Sequence, residues 1–266
     1  MLHHSPTNWR IEPIAPALGA RVIRENPTAP LDDAEKEALA SLLDEVHVVG
    51  IEAIALAHAE HQELARCFGE PLIHPFLESV EDYPHILVVH KDPADDDTFG
   101  GQYWHADITF IDPPASVSLL QAQVLPSIGG DTLFANQHLA FEGLSDGMQT
   151  MLRSLRAVHS YPDMVEELGA TAALHPVVRV HPHTGREALF VNPAFVHRFE
   201  DMTVAESAPL LKQLFEHQVR PEYQARVRWS PDMLLLWDNR SVLHYAVNDY
   251  PGQRRTLCRV TAMEVG

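Results

Sequence analysis

The chain is predicted to fold as a β-sandwich or jelly roll decorated by helices. Short β-branched and apolar runs are numerous, and turn residues such as Pro113-Pro114, Gly129-Gly130 and Thr184-Gly185 separate them. No regular strand–helix–strand alternation connects them, which argues against a doubly wound parallel sheet. With 266 residues, 45% apolar and 21% charged, the chain has ordinary globular composition and buries enough surface to need no staples. It shows no internal repeat and no low-complexity linker, so one domain over 1–266 is expected.

Helices are predicted first where apolar residues recur at helical spacing. Residues 31–48 begin with Asp32 and Asp33 as possible caps and continue through Ala38, Leu39, Leu42, Leu43 and Val46. A second helix is expected over 57–68, ended by Gly69 with Pro71 beyond it. The same spacing recurs over 137–144, 146–153 and 204–219. Strands are predicted over 86–90, 116–124, 177–181, 189–192, 227–229, 233–238 and 256–262. The acidic, glycine-bearing stretch 91–101, KDPADDDTFGG, reads as a mobile loop that can cover a site.

Bulk charge narrows the possible partners. A net charge of −18 with no basic run disfavours nucleic acid, whose phosphates need a basic face, and equally disfavours anionic lipid. The N-terminus lacks a basic segment followed by a long apolar one, so no signal peptide is read there. Apolar runs such as 233–237 are too short to span a bilayer. Two cysteines, Cys67 and Cys258, form no disulfide framework or metal motif, and a soluble cytoplasmic protein is expected. Most of the seventeen histidines need no special reading; His3, His4, His58, His61 and His217 fall in polar or helical surface contexts.

One group of residues carries chemistry. In Tyr103-Trp104-His105-Ala106-Asp107, the imidazole and the carboxylate sit two apart, and on a strand such residues project from one face. A third ligand from His244, following Trp237-Asp238-Asn239-Arg240, completes a two-histidine, one-carboxylate set. That set holds iron(II) on one side and leaves open positions on the other. Eleven residues on, Arg255 offers a planar guanidinium suited to a dicarboxylate. Asn239 and Arg240 read equally as braces of the loop carrying His244, and Trp237 and Asp238 as core and turn residues.

The segments WHADITF, GGDTLFAN, LFVN, WDNRSVLHYA and RRTLCRV resemble the taurine/2-oxoglutarate dioxygenase (TauD/TfdA) family, in that family's order and spacing. Weaker likeness in LGARVI and RCFGEPLIHP extends it over nearly the whole chain. The resemblance implies a mostly β fold with flanking helices around a double-stranded β-helix, a cupin-like jelly roll. It implies an iron(II)- and 2-oxoglutarate-dependent dioxygenase that hydroxylates a small organic substrate with O2 and releases succinate and CO2. His105, Asp107 and His244 match the metal ligands. Thr132 and Arg255 match the residues on the two carboxylates of 2-oxoglutarate, and Arg259 lies near the co-substrate and can hold an anionic substrate group. Relatives usually assemble as homodimers or tetramers.

For the substrate, His74 matches a sulfonate-binding histidine, and Gln102, Tyr103, Ile108, Phe195 and Tyr161 are candidate pocket residues beside Arg259. Leu77, Gly100 and Gly101 replace the polar groups that would meet an amine, which argues against taurine. An alkyl sulfate, a sulfonate, an aryloxyalkanoate or another carboxylate suits the altered pocket. The alternative is the same iron centre desaturating or otherwise oxidising a natural-product precursor. A zinc hydrolase lacks the expected HExxH-type glutamate base, and nothing marks a dead, purely binding site.

Overall fold

The structure, a computed structural model, describes residues 6–74, 78–98, 101, 103–161 and 172–264. Its centre is a large, mainly antiparallel sheet facing a three-stranded one. From one edge, the large sheet runs Trp9–Pro13, Ala20–Arg24, Val48–Ile51, Leu234–Asp238, Ala115–Val124, Arg255–Met263, Tyr83–Lys91 and Ser79–Val80; Glu70–Pro71 also pairs with Arg255–Met263. The small sheet places Thr132–Asn136 between Gln224–Val227 and Val242–Ala246. Two facing sheets joined by long-range connections make the expected mostly β jelly roll.

Strand alternation decides what each face does. On the outer face Val49, Ile51, Val117, Leu119, Leu234, Leu236 and Val260 pack against Leu39, Leu42 and Leu43 of the helix Asp33–Val46, and against Leu64 and Ala65 of His58–Arg66. On the inner face Leu120, Leu235, Trp237 and Leu257 meet Phe134, Ala225, Val227 and Val242 of the small sheet. Each such leucine contributes roughly 1.5–3 kcal/mol when fully buried. In the last strand Arg255 and Arg259 share parity with Leu257 and so point inward.

The first helix begins as expected: Asp32 accepts from the Glu35 N–H and the Glu35 carboxylate accepts from the Asp32 N–H, a capping box. A second core gathers Phe141, Leu152, Val177, Phe199, Leu211 and Leu214, under the helices Gln137–Glu142, Asp146–Arg153 and Val204–Gln218.

Several expectations need correction. His61 is fully buried, its Nε2 3.3 Å from the Leu119 carbonyl, because its helix turns that face onto the sheet. The strand expected over 189–192 is Glu187–Leu189, and that expected over 227–229 is Gln224–Val227. Lys91 ends a strand and is buried, so it does not begin a loop. Beyond it, Asp92 receives Arg254, the Asp96 carbonyl accepts from Asn248, and Thr98 accepts from the Tyr250 hydroxyl. The described part of the expected covering loop is thus tethered to the 248–254 segment.

Candidate metal centre

His105, Asp107 and His244 converge at the inner end of the two sheets, with ligand atoms all within 4.8 Å of one another. The strand expected to align His105 with Asp107 is not there. His105 forms a single antiparallel bridge with His244, its N–H 3.0 Å from the His244 carbonyl and the reverse bond 2.7 Å. Asp107 lies in the turn that follows, which brings its carboxylate within 4 Å of both imidazoles. Ile108, next in the turn, has φ of +50°, a strained value for a β-branched residue of the kind that clusters at functional sites.

The carboxylate is heavily braced. Asp107 Oδ2 accepts from the Ser118 hydroxyl at 2.6 Å, and Oδ1 accepts from Arg259 Nη1 at 2.9 Å. Asn239 accepts from the Asp107 N–H at 3.0 Å and from the Trp237 indole at 3.0 Å, and donates to Ser118 at 3.0 Å. Asn239 therefore fixes the backbone and carboxylate of Asp107 together. Asn239→Ala is expected to weaken metal affinity about 10- to 100-fold, as loss of an outer partner does, measured by competition with a chelating dye.

Both imidazoles are held ready to bind a metal. His105 Nδ1 lies 2.9 Å from the Tyr103 carbonyl, which only accepts, so Nδ1 carries the proton and Nε2 keeps its lone pair. His105 Nε2 and His244 Nε2 sit 3.8 Å and 3.9 Å from Asp107 Oδ1. Packing holds the His244 ring, with Trp237 at 4.7 Å and His105 at 4.1 Å between centroids. Burial pushes His244 down to about 3, and the neighbouring His105 adds to this; burial also lowers His105. Burial alone would raise Asp107, but Arg259, then His244 and His105, hold it well below the usual carboxylate range. Neutral imidazoles beside an ionised carboxylate are the ligand forms a divalent ion needs.

The metal fit is geometric as well. Donors about 2.1 Å from one ion at right angles lie about 3 Å apart, so small side-chain shifts close these gaps around an ion. A second grouping, Asp44, His181 and Asp238, is different. Asp238 accepts from the Arg240 N–H, Nε and Nη2 and from His181 Nε2, at 2.6–2.9 Å. A guanidinium already serves as its cation.

Beside the triad opens a cavity lined by Val89, Leu120, Thr132, Trp237, Ala246, Arg255 and Arg259 as well as His105 and His244. Thr132 pairs in register with Val227 and Ala246, which sets its side chain on the inner face with that of Ala246. Arg255 is buried, forms no salt bridge among the described residues, and its Nε has no hydrogen-bond partner there. Burial pushes its guanidinium down, only partly offset by Tyr250 and Asp131. An unpaired buried cation is costly, and a bound anion offsets that cost. Gly130 explains the glycines of GGDT: with φ of +71°, its missing Cβ would sit 3.1 Å from Arg255 Cδ.

Other expected site residues are placed unevenly. His74 lies within electrostatic reach of Arg259 and Asp107; burial first, then Arg259, brings its imidazole down to about 4. Phe195 packs its edge on His105 at 6.3 Å and meets Phe110 and Tyr161 at 4.9 Å and 5.8 Å, and Ile108 packs in the same region. Tyr103 is 57% exposed, and its carbonyl lies 2.9 Å from His105 Nδ1. Arg259 contacts a metal-facing oxygen directly. Gln102, Leu77 and Gly100 lie outside the described residues. A Cβ at Gly101 would meet Thr98 Cγ2 and the Ala246 carbonyl at 2.3 Å and 2.9 Å, so close packing requires glycine there.

Comparison with known proteins agrees with this architecture. Residues 10–261 match the family described as "Taurine catabolism dioxygenase TauD, TfdA family". The chain belongs to the TauD/TfdA family. It is 32% identical over 273 residues to the alpha-ketoglutarate-dependent sulfate ester dioxygenase of Pseudomonas putida, covering 94% of this chain and 88% of that one. It is 31% identical over 279 residues to the alpha-ketoglutarate-dependent 2,4-dichlorophenoxyacetate dioxygenase of Cupriavidus pinatubonensis, covering 95% and 96%. A taurine dioxygenase from Burkholderia xenovorans superposes with a TM-score of 0.83 at 31% identity, over 97% of this chain and 90% of that one. As a TauD/TfdA member the protein is an iron(II)- and 2-oxoglutarate-dependent dioxygenase.

Proposed function

We propose that His105, Asp107 and His244 hold the iron, that Thr132 and Arg255 bind the two carboxylates of 2-oxoglutarate, and that the enzyme hydroxylates a small organic anion. One observation carries the reading: a buried, ligand-competent triad opens onto a cavity walled by an arginine with no carboxylate partner among the described residues. Iron, when bound, supplies oxygen activation coupled to decarboxylation of 2-oxoglutarate to succinate and CO2. The chain's own groups do the positioning. Arg255 neutralises one carboxylate, the Thr132 hydroxyl donates to the other, and Ser118, Asn239 and Arg259 hold Asp107 in place.

The substrate side is read as His74 and Arg259 at the anionic end, with Phe195, Ile108, Phe110 and Tyr161 as an apolar wall. The close packing at Gly101 leaves no room there for an amine-binding side chain, which supports sulfate esters, sulfonates or aryloxyalkanoates over taurine. The sulfate ester and phenoxyacetate relatives point the same way. Succinate release across a panel of these anions tests the reading. At least one sulfate, sulfonate or aryloxy acid is expected to stimulate release well above the substrate-free rate, and taurine is expected to fall below it. Stimulation by neutral compounds alone would overturn the anionic assignment.

The same reading treats residues 1–266 as a single catalytic domain in a homodimer or tetramer, located in the cytoplasm and using neither nucleic acid nor membrane as a partner. Two free cysteines support a reducing compartment, and no described helix is long and apolar enough to cross a membrane.

A further inference from the structure

Trp229 touches both groups read as co-substrate anchors. It follows the strand Gln224–Val227, whose Val227 pairs in register with Thr132, and it is buried between the sheets. Its indole N–H donates to Thr132 Oγ1 at 3.1 Å. Its ring lies under the Arg255 guanidinium, with Cζ 5.5 Å from the centroid. We propose that Trp229 is a positioning residue for 2-oxoglutarate, orienting the Thr132 hydroxyl and the Arg255 guanidinium toward one ligand.

Hydrogen-bond supply sets the direction of the Thr132 hydroxyl. A threonine hydroxyl has one hydrogen and two acceptor sites, and an indole N–H can only donate. By filling an acceptor site, Trp229 leaves the hydroxyl hydrogen to point elsewhere, and Thr132 lines the cavity. Arg255 has no salt-bridge partner among the described residues, so the face of the Trp229 ring is a contact that holds its guanidinium level. One side chain therefore orders a donor and a cation before the ligand arrives, which reduces what binding must order.

The proposal rests on the reading that Thr132 and Arg255 bind 2-oxoglutarate, and the test separates the two. 2-Oxoglutarate is titrated calorimetrically into manganese(II)-loaded parent, Trp229→Phe, Trp229→Leu, Thr132→Ala and Arg255→Ala proteins, and into the doubles Thr132→Ala/Trp229→Phe and Arg255→Ala/Trp229→Leu. Trp229→Phe keeps the ring and loses the N–H; it is expected to weaken binding about fivefold, the worth of one hydrogen bond, with manganese affinity unchanged. Added to Thr132→Ala, the same change is expected to have almost no effect, because the group it acts through is gone. Trp229→Leu loses the ring as well and is expected to weaken binding about tenfold or more, much less so when Arg255 is already alanine.

Parent-like binding by Trp229→Phe and Trp229→Leu overturns the proposal and leaves the co-substrate reading standing. So do equal losses with and without Thr132, which describe packing only. Parent-like binding by Thr132→Ala and Arg255→Ala overturns the co-substrate reading itself, and the proposal with it. If Trp229→Leu fails to fold, the phenylalanine pair decides alone.

Discussion

Arg255→Ala is expected to weaken 2-oxoglutarate binding about 30- to 4,000-fold while leaving metal affinity within about threefold, because removing one partner of a buried charge pair costs about 2–5 kcal/mol. The cause is burial. Arg255 is 4% exposed and carries an Nε without a partner among the described residues. In the absence of ligand this cation is desolvated with no opposite charge in contact among the described residues, so its removal relieves the empty protein. The metal-free variant is therefore expected to melt no lower than the parent. Calorimetric titrations of 2-oxoglutarate and of manganese(II), with melting curves, check all three parts. Equal weakening of both ligands would remove Arg255 from the co-substrate role.

A second large effect concerns acid stability. Burial pushes His47 down to about 3, His61 to about 4 and His159 to about 3, each from an ordinary 6.5, with His138 and His175 adding to the shifts at His47 and His159. None of the three belongs to the triad. An imidazole whose folded value lies below its unfolded value is protonated first in the unfolded chain. Its stabilisation is complete above pH 6.5 and is lost as pH falls toward its folded value. Each such histidine contributes a slope of about 1.4 kcal/mol per pH unit in that window, so the three together remove roughly 4 kcal/mol per unit. About 10 kcal/mol is thus removed by pH 4, a large share of a total stability of about 5–15 kcal/mol, so the denaturant midpoint of the metal-free protein is expected to fall steeply below pH 6.5. Denaturant midpoints measured from pH 7.5 downward test this, and a midpoint flat to pH 5 would contradict the assigned burial.

The large features were legible because they are local or periodic. The helix Asp146–Arg153 and the shared face of Arg255 and Arg259 follow from spacing, while the inward direction of that face comes from how the sheets pack. Asp32 was readable as a cap, since a short acidic side chain before an apolar helical pattern has few other roles. Thr132–Asn136 and Val242–Ala246, the strands that carry Thr132 and His244, give no clear strand pattern in the sequence. Each is five residues long and mixes polar with apolar positions, and their partners lie far away in the chain.

The site shows the same division. The triad could be named from residue types and family resemblance, yet its geometry comes from a single bridge and a turn rather than from a strand. Ser118 has one local signal, a pair of serines, Ser116 and Ser118, heading an inward stripe that continues with Leu120 and Ala122. Asn239 reads from the sequence as a loop brace, but its target, the backbone and brace of Asp107, is 132 residues away. Contacts of that range depend on how the sheets face each other, which no local pattern encodes.

Anaerobic absorption spectroscopy of the iron(II)-loaded protein with 2-oxoglutarate tests the central arrangement most directly. The triad and its adjoining cavity predict a visible charge-transfer band on mixing, absent from His105→Ala and appearing in Arg255→Ala only at far higher 2-oxoglutarate. No band from the intact, iron-loaded protein, or an unchanged band from His105→Ala, would contradict the placement of metal and co-substrate together at this site.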